Sequence, residues 1–320
     1  MKFVFGPVPS RRLGKSLGID PIPLKTCNWN CIYCQLGRTR PLTNVQREYI
    51  PRQDILNEVH EALAAHRPEE LDWITFVGSG EPTLHRSLGW LIRKVKKLSN
   101  IPVAVITNGS LLYQPEIRVE LAAADAVLPS FDAGNPRLYR KINRPWPRLT
   151  YEFFLAGLIT FQREYAGHLW VEVMLIKDLN DTVESLHETA KALEKIQPNQ
   201  VHLLLPTRPP AESWVQPSDK NGIERAQNIL GAVANVIMPA SDSDIKITSV
   251  ADGENLEQAI LGIVSRHPMH EKELFNVLNT WSNEEVYLTL EKLLTAIKVQ
   301  VIKRHGQSFW SAADSYYEEK

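Results

Sequence analysis

Three cysteines stand within eight consecutive positions, in the segment KTCNWNCIYC. They are Cys27, Cys31 and Cys34, and the 320-residue chain contains no other cysteine. An odd number of thiols concentrated in one segment is unsuited to a framework of structural disulfides. Because thiolates are ligands for soft metal ions and for iron–sulfur clusters, the C-x3-C-x2-C spacing predicts a metal centre.

Two kinds of centre fit three thiols. A closed zinc site needs four ligands, and His60, His66 and His85 are possible donors of the fourth, although none has the spacing usual in zinc fingers. An iron–sulfur cube needs one thiolate for each iron, so three cysteines leave one iron open to a substrate or cofactor. In the second case the lack of a fourth cysteine has a function.

Charge is distributed unevenly along the chain. The formal net charge is −1, yet residues 1–47 contain eight Lys or Arg and a single acid, Asp20. A positive field around the cysteines would attract an anionic substrate or an acidic electron-transfer protein. The alternative interpretation is a solvated basic surface without a partner.

The length and composition of the chain indicate a large core, and its apolar patterns indicate where in the cell it is expected. With 43% hydrophobic and 23% charged residues, the chain can form one large core and a smaller domain. The first residues lack the pattern of a secretory signal, and no apolar stretch is long enough to cross a bilayer. We therefore expect a cytoplasmic protein that does not contact a membrane.

Short apolar runs alternate with helical patterns from the cysteine segment to about residue 205. Runs that are apolar on both faces are typical of strands in a parallel sheet. About six such units predict an α/β fold, built as a partial (β/α)6-type TIM barrel. The predicted strands are residues 17–22, 73–78, 103–107, 126–131, 170–176 and 201–205. The predicted helices are residues 54–66, 88–98, 115–123, 151–165 and 183–196.

Polar segments marked by glycine or proline follow these predicted strands. In parallel α/β sheets the loops after the strands converge on one edge, where binding residues usually lie. We therefore expect one functional rim, to which six segments contribute. They are the cysteine segment and residues 78–85, 107–110, 130–134, 177–181 and 206–212.

The pattern changes near residue 251. Three short helical patterns, at residues 256–265, 271–278 and 283–297, precede two strand patterns within residues 298–312, with a turn at His305 and Gly306. Three helices and a hairpin are typical of a winged-helix unit. We predict a core domain at residues 1–250 and a winged-helix-like domain at residues 251–320, with the best candidate for a linker at residues 240–252.

The cysteine spacing, with the aromatic Tyr33 before the last cysteine, resembles that of radical S-adenosylmethionine (SAM) enzymes. The β/α alternation and the sequence GSGEP at residues 78–82 extend this resemblance over about residues 1–249. It implies that Cys27, Cys31 and Cys34 hold a [4Fe-4S] cluster whose fourth iron binds SAM. An electron from the cluster would cleave SAM and yield a 5′-deoxyadenosyl radical, which abstracts a hydrogen from a substrate.

The resemblance also implies which residues contact SAM. The segment that binds the SAM amino group would be Gly78, Ser79, Gly80 and Glu81, with Ser79 in place of a glycine. Other candidates are Tyr33 at the adenine or beneath the cluster, Thr107, Asn108, Ser130, Asp132 and Glu172. Each also has a structural alternative, such as a turn, a cap or an exposed strand face.

The proline-rich segment PTRPPAESW would hold Arg208 and Glu212 rigidly over the site, or would only close the barrel. This segment, together with FGPVPSRRLGKSLGID and CIYCQLGRT, resembles proteins grouped by sequence with tRNA 4-demethylwyosine synthases. Those enzymes carry a second cluster on further cysteines, which the cysteine count of this chain excludes. Lys25 or Lys177 could take the place of their pyruvate-holding lysine, but no motif assigns either one.

The C-terminal unit is acidic, with seven Lys or Arg and ten Asp or Glu in residues 254–320. Its predicted recognition helix starts with Glu284 and Glu285, which would repel nucleic-acid phosphates. DNA binding is therefore not expected. A protein, peptide or intramolecular contact is more plausible, and Lys303, Arg304 and His305 form a basic tip.

Two functions follow from these patterns. The first is a radical SAM enzyme that acts on an unidentified small molecule, RNA base or peptide, with a flavodoxin or ferredoxin as its reducing partner. The second is a non-catalytic or regulatory iron–sulfur protein that contacts a partner through its C-terminal unit. The residues from which catalysis would proceed after SAM cleavage are not specified by any motif.

Overall fold

The computed structural model describes residues 3–10, 12–237, 255–304 and 306–317. The predicted linker at residues 240–252, the predicted domain boundary and His305 lie outside the described residues. Two groups of elements are present, one before and one after that gap. Within the described part of the chain, no helix is both long and apolar enough to span a membrane.

The first group is built on an eight-stranded sheet in which every strand pairs with its neighbours in the chain. Strands β2 to β8 are parallel, as predicted, and β1 pairs antiparallel with β2. Among the described strands, β1 and β8 form the two edges. The strands are β1 (Val4–Ser10), β2 (Gly14–Ile19), β3 (Trp73–Phe76), β4 (Val103–Thr107), β5 (Ala126–Pro129), β6 (His168–Met174), β7 (Gln200–Leu204) and β8 (Val236–Ile237).

Helices connect the parallel strands, so that each strand is followed by a loop at the same edge of the sheet. They are α1 (Arg52–Ala65), α2 (Leu88–Leu98), α3 (Pro115–Leu121), α4 (Pro136–Ile142), α5 (Tyr151–Glu164), α6 (Val183–Ile196) and α7 (Lys220–Gly231). Short 3₁₀ turns occur at Pro68–Glu70 and Pro82–Leu84. The predicted α/β architecture is confirmed.

Helix α2 shows how the sequence covers the sheet. Its residues Leu88, Leu91, Ile92 and Val95 recur at helical spacing and are fully buried. Burying each such side chain contributes roughly 1.5–3 kcal/mol to folding. The basic residues of the helix lie on its other face, which is exposed to solvent. The same pattern in α5 and α6 extends one continuous core across the sheet.

The second group contains α8 (Leu256–Val264), β9 (Met269–His270), α9 (Glu271–Val277), α10 (Asn283–Thr295), β10 (Val299–Arg304) and β11 (Gln307–Ala312). Its sheet is antiparallel in the order β10, β11, β9. Residues of all three helices enclose a separate small core that includes Ile260, Leu274 and Leu290. The three predicted helices and the hairpin are present. The winged-helix assignment itself stays a prediction.

Candidate functional site

The cysteines lie on the long connection between β2 and α1, and the backbone of this connection is bonded to three other segments. Ile32 donates to Ile142 at the end of α4 and accepts from Glu212 after β7, at 2.9 and 3.0 Å. Glu81, after β3, donates to the carbonyl of Thr26 at 2.8 Å. These bonds hold the cysteine loop against the edge at which the parallel strands end.

The other candidate residues are distributed along the same edge. Ser79 and Glu81 follow β3, Thr107 ends β4, and Asn108 comes directly after it. Ser130 and Asp132 follow β5, while Glu172 lies within β6, opposite Ser130 in an isolated bridge. The loops that sequence reasoning placed on one rim therefore do converge.

Each cysteine sulfur has a nitrogen donor from the protein. Lys25 Nζ lies 3.2 Å from Cys34 Sγ. Asn108 Nδ2 lies 3.8 Å from Cys27 Sγ, and Asn143 Nδ2 lies 3.7 Å from Cys31 Sγ. Nitrogen–hydrogen groups directed at sulfur stabilise a thiolate and tune the potential of an iron–sulfur cluster.

Burial disfavours the ionised form of two of the thiols, Cys27 and Cys31. Burial raises the pKa of Cys27 to about 12, and the nearby Glu81 carboxylate acts in the same direction. Burial also raises the pKa of Cys31 well above its ordinary value, with Asp132 adding to the effect. A metal must therefore replace the thiol protons on binding, as is usual for thiolate ligands.

A single-ion site would need its ligands to converge on one point. Within the described residues, no group of three His, Cys, Asp or Glu converges as the ligands of one metal ion do. A cube binds each thiolate to a separate iron, so its ligands need no common point. His85, one possible zinc ligand, instead pairs with the carbonyl of Ile50 and the amide of Ser87.

Glu81 is the centre of a hydrogen-bond network between the turns after β3 and β4. Its Oε1 accepts from the hydroxyls of Thr83 and Thr107 at 2.6 and 2.5 Å and from the Thr83 amide. Its Oε2 accepts from the Asn108 amide at 2.7 Å. Burial raises the pKa of Glu81, although these bonds oppose that shift. Glu81 thus fixes the Thr107–Asn108 turn, and Oε2 retains acceptor capacity.

The glycines of this segment allow the cysteine loop to approach. A Cβ on Gly80 would stand 2.0 Å from the carbonyl oxygen of Thr26, and one on Gly78 would stand 2.8 Å from the Ile22 side chain. Between them, the Ser79 hydroxyl donates to Asp20 at 2.6 Å. The close approach explains why glycine occupies both positions.

Asp132 joins the cysteine loop to β6. One carboxylate oxygen accepts from the Tyr33 hydroxyl and from Asn143 Nδ2, both at 2.6 Å, and the other accepts from the Met174 amide at 2.9 Å. Burial raises the pKa of Asp132 and that of Tyr33. The Tyr33 ring is thereby held beside the cysteines.

The buried Glu172 pairs with Arg12, which lies in the turn between β1 and β2. Burial raises the pKa of Glu172, and the Arg12 guanidinium opposes that shift. A buried carboxylate in a strand needs such a partner. Sequence reasoning counted Arg12 only as part of a basic segment, because the hairpin that carries it was not predicted.

Glu212, after β7, is another buried carboxylate. Arg38 of the cysteine loop donates to both of its oxygens, at 2.9 and 2.7 Å, and Arg144 donates to one of them. Burial opposes ionisation, yet these two arginines hold the pKa of Glu212 below its usual range. Glu212 therefore fixes the cysteine loop in place.

Arg208, predicted to lie beside Glu212, pairs instead with the carbonyl oxygen of Pro268 and with Glu273.

The C-terminal unit contacts the rim beside the cysteine loop. Arg266 pairs with Asp20 at 3.2 Å, and the Tyr317 hydroxyl donates to the carbonyl of Gln35 at 2.6 Å. The Arg304 guanidinium donates to backbone carbonyls of Ser213 and Val215, so this part of the predicted basic tip faces the first group of elements. Glu285 caps α10 through Ser282. Intramolecular contact, one of the predicted roles, is what the structure shows.

Lys177, a predicted rim residue, has other surroundings, and Asn143 contributes to the site without having been predicted. Lys177 lies on the surface, where it pairs with Asp219 at 3.1 Å. Asn143, which no motif indicated, contacts both Cys31 and Asp132. It follows α4, a helix within a stretch of mixed basic and apolar residues that gave no clear helical pattern. Asn143 could therefore be found only from the structure.

An α/β fold with three thiols at the carboxyl edge of a parallel sheet defines the class of protein. The Radical SAM superfamily profile matches residues 22–193, more than half of the chain. The chain belongs to the radical SAM superfamily, a class of enzymes.

Individual relatives agree with this assignment. A UPF0026 protein of Methanocaldococcus jannaschii is 38% identical over 307 residues, covering 91% of this chain and 94% of the relative. A Brachyspira hyodysenteriae protein named GTPase Obg is 40% identical over 273 residues, which cover 83% of this chain but only 39% of that protein. A solved radical SAM methyltransferase from Sphaerobacter thermophilus shares the fold, with a TM-score of 0.54, 20% identity and coverage of 71% and 67% of the two chains.

Proposed function

We propose that this protein binds a [4Fe-4S] cluster through Cys27, Cys31 and Cys34 and cleaves SAM reductively to act on a separate substrate. One observation carries the proposal. Three thiols on a single loop lie at the carboxyl edge of the sheet, and each sulfur faces a nitrogen donor. Three thiolates suit a cube that keeps one iron open.

The residues around the sulfurs fit such a cluster. Lys25 contributes a positive charge, and Asn108 and Asn143 contribute amide hydrogens, all of which stabilise the negative charge that a cluster gains on reduction. When bound, the cluster supplies the electron that splits SAM into methionine and a 5′-deoxyadenosyl radical. The protein's own residues would hold both groups.

SAM is expected to bind along the turns after β3 and β4. Gly78, Ser79 and Gly80 offer a closely approaching backbone, and Glu81 Oε2 retains acceptor capacity for the SAM ammonium group. Thr107 and Asn108 are bonded to Glu81, so we assign them to shaping this part of the pocket. A carboxylate that is already oriented binds a cation with less loss of entropy.

The remaining SAM contacts are assigned to the turn after β5 and to β6. Ser130 is half-buried and faces Glu172 across the strand ends, so its hydroxyl suits the SAM ribose. Glu172 forms an ion pair with Arg12. A ribose hydroxyl in contact with Glu172 would therefore also lie beside the Arg12 guanidinium. Asp132 acts through Tyr33, whose ring it orients next to the cysteines.

The substrate is unidentified, and a small molecule, an RNA base and a peptide all remain candidates. The C-terminal unit closes part of the rim near Gln35 and Asp20, so it would border any substrate that enters beside the cluster. The reducing partner is expected to be a small electron-transfer protein.

Iron content and electron paramagnetic resonance test the proposal. The anaerobically reconstituted protein should be brown and contain about four iron ions per chain. Addition of SAM should change the spectrum of the reduced cluster, because SAM binds to the open iron. Cys31→Ala should lose both the colour and the SAM-dependent change.

A colourless protein with one zinc ion would refute the cluster assignment, as would a Cys31→Ala variant that keeps the full cluster. If the cluster is intact but its spectrum does not change when SAM is added, the alternative function, a non-catalytic iron–sulfur protein, is supported instead.

A further inference from the structure

A cleft of about 350 Å³ opens beside the cysteine loop, and its described lining contains cations but no carboxylate. It lies between the segment that precedes Cys27 and the segment that follows Cys34. Its cations are Lys25, Arg40 and Arg47, of which the two arginines are exposed. The cleft is therefore a basic surface with direct connections to the cysteines.

Two contacts join the lining of the cleft to the cysteines, one to a thiol sulfur and one to a backbone carbonyl. Lys25 Nζ lies 3.2 Å from Cys34 Sγ and 2.6 Å from the carbonyl oxygen of Gly37. On the other wall, the Thr43 amide donates to the carbonyl of Cys27 at 3.0 Å. An electron carrier bound in the cleft would thus be separated from the cluster ligands by single side chains or single hydrogen bonds.

The cleft also has an apolar part. Val45 is 60% exposed, and Tyr49 beside it donates from its hydroxyl to the Val45 carbonyl at 2.7 Å. The Arg47 guanidinium stacks 4.4 Å above the Tyr49 ring centroid. An exposed valine next to fixed cations favours a partner that presents an apolar edge surrounded by acidic groups.

The opposite flank of the cysteine loop is covered by the protein itself. Tyr316 and Tyr317 of the C-terminal unit bond to Arg38 and Gln35. The cleft is lined instead by residues from 24–26 and 40–49. The loop therefore presents its residue 40–49 flank to a partner, while its residue 35–38 flank is engaged within the chain.

We infer that this basic cleft is the docking site of an acidic flavodoxin-type protein that reduces the cluster. The inference rests on the proposed function. A flavin exposes an apolar ring edge, which suits Val45 and Tyr49, whereas the surrounding carboxylates of an acidic carrier suit Arg40 and Arg47. In the transfer, the reduced flavin loses one electron and the cluster gains one, and no bond or proton moves.

Charge reversal at the two exposed arginines tests this docking site. The full-length, cluster-loaded Arg40→Glu/Arg47→Glu variant should be reduced by a recombinant acidic flavodoxin about tenfold or more slowly than the wild type at low ionic strength. The difference should shrink as salt is added, because screening weakens steering. A separate binding titration that follows flavin fluorescence should show a correspondingly weaker complex.

Two controls make the outcome decisive. Lys191→Glu reverses an exposed charge on α6 and should leave both the rate and the binding unchanged. Dithionite should reduce the double variant as fast as the wild type, since it needs no docking site. Equal flavodoxin rates and affinities for the double variant and the wild type would overturn the inference while the proposed function stands.

A ferredoxin that reduces the protein faster than flavodoxin, with the same sensitivity to the arginines, would overturn the choice of partner. Failure of the wild-type cluster to accept electrons even from dithionite would count against the proposed function instead. Circular dichroism of the double variant establishes that it is folded, which is expected because both side chains are exposed.

Discussion

Lys25 places a positive charge beside one of the three cysteine sulfurs. Its Nζ contacts Cys34 Sγ and the carbonyl of Gly37, so the side chain is held in place from two sides. Lys177, the other lysine considered from the sequence, pairs with Asp219 at the surface. The two lysines therefore have different electrostatic effects on a cluster, even though no motif distinguishes them.

Replacing Lys25 should change the potential of the cluster. A cation next to a thiolate stabilises the reduced cluster, so Lys25→Met should shift the midpoint potential to a more negative value while keeping the iron. Spectroelectrochemical titration measures this shift. Lys177→Met is the matched control and should leave the potential unchanged. An unchanged potential in Lys25→Met would show that the lysine does not act on the cluster.

At this scale the sequence indicated the candidate ligands but not their surroundings. The three cysteines were evident from spacing, because ligand spacing within one loop is a local property. Asn143 and Arg12 reach the site from distant segments, and Arg38, although it lies on the cysteine loop, pairs with the distant Glu212, so these contacts depend on the fold. Glu81 was predicted from a motif, yet its bonds to Thr83, Thr107 and Asn108 became visible only when the turns after β3 and β4 were placed together.

Among the elements, the loop after β7 fixes the cysteine loop through Glu212. Arg38 and Arg144 lie on two different segments and both donate to this one carboxylate. Glu212 has a side chain that is 2% exposed, so solvent screens these interactions little. The loop that carries Glu212 thus stabilises the conformation of the cysteine segment.

Glu212→Gln should destabilise the protein by roughly 3 kcal/mol at pH 7, because it leaves two arginines without their shared anion. The arginines hold the pKa of Glu212 below its usual range, so its contribution is present above the unfolded-state pKa. It is lost as the pH falls through the lower, folded-state pKa. Urea unfolding at neutral and at acidic pH should show the difference between variant and wild type shrinking in acid.

Glu224→Gln serves as the control for this prediction. Glu224 lies exposed on α7, 3.8 Å from the exposed Lys220, and such surface pairs contribute little. Its replacement should change stability by less than about 1 kcal/mol at either pH. A Glu212→Gln variant that is as stable as this control would contradict the claim that Glu212 stabilises the cysteine loop.

The strongly periodic elements were predicted well, and the others were missed for identifiable reasons. Helix α2, helix α6 and strand β4 have the predicted bounds, since their apolar patterns are clear. Strand β1 contains prolines, which disfavour an interior strand, but it lies at an edge where proline is tolerated. Helix α7 has few apolar residues, so its periodicity gave no signal.

For the whole molecule, the C-terminal unit acts as a cover on one flank of the cysteine loop. Gly37 is at the point of contact, with φ of +77°, and a Cβ there would stand 2.2 Å from the Tyr316 carbonyl oxygen. Arg266 and Tyr317 add contacts to Asp20 and Gln35. Composition and periodicity predicted this unit, but not the surface on which it rests, which depends on contacts between distant residues.

Gly37→Ala should loosen the contact between residues 306–317 and the cysteine loop. Hydrogen–deuterium exchange should be faster in that peptide and little changed in the strands of the large sheet. Gly231→Ala is the matched control, because a Cβ at Gly231 meets no atom within 4 Å. Equal exchange in the two variants would show that the contact at Gly37 does not hold the C-terminal unit in place.

The central claim is that the cysteine loop and the adjoining turns form a site for reductive cleavage of SAM. The most direct test is to reduce the reconstituted, full-length protein with dithionite under anaerobic conditions, add SAM, and quantify 5′-deoxyadenosine by chromatography and mass spectrometry. We predict 5′-deoxyadenosine from the wild type and none from Cys31→Ala. Intact SAM in the presence of a fully reduced wild-type cluster would contradict the claim.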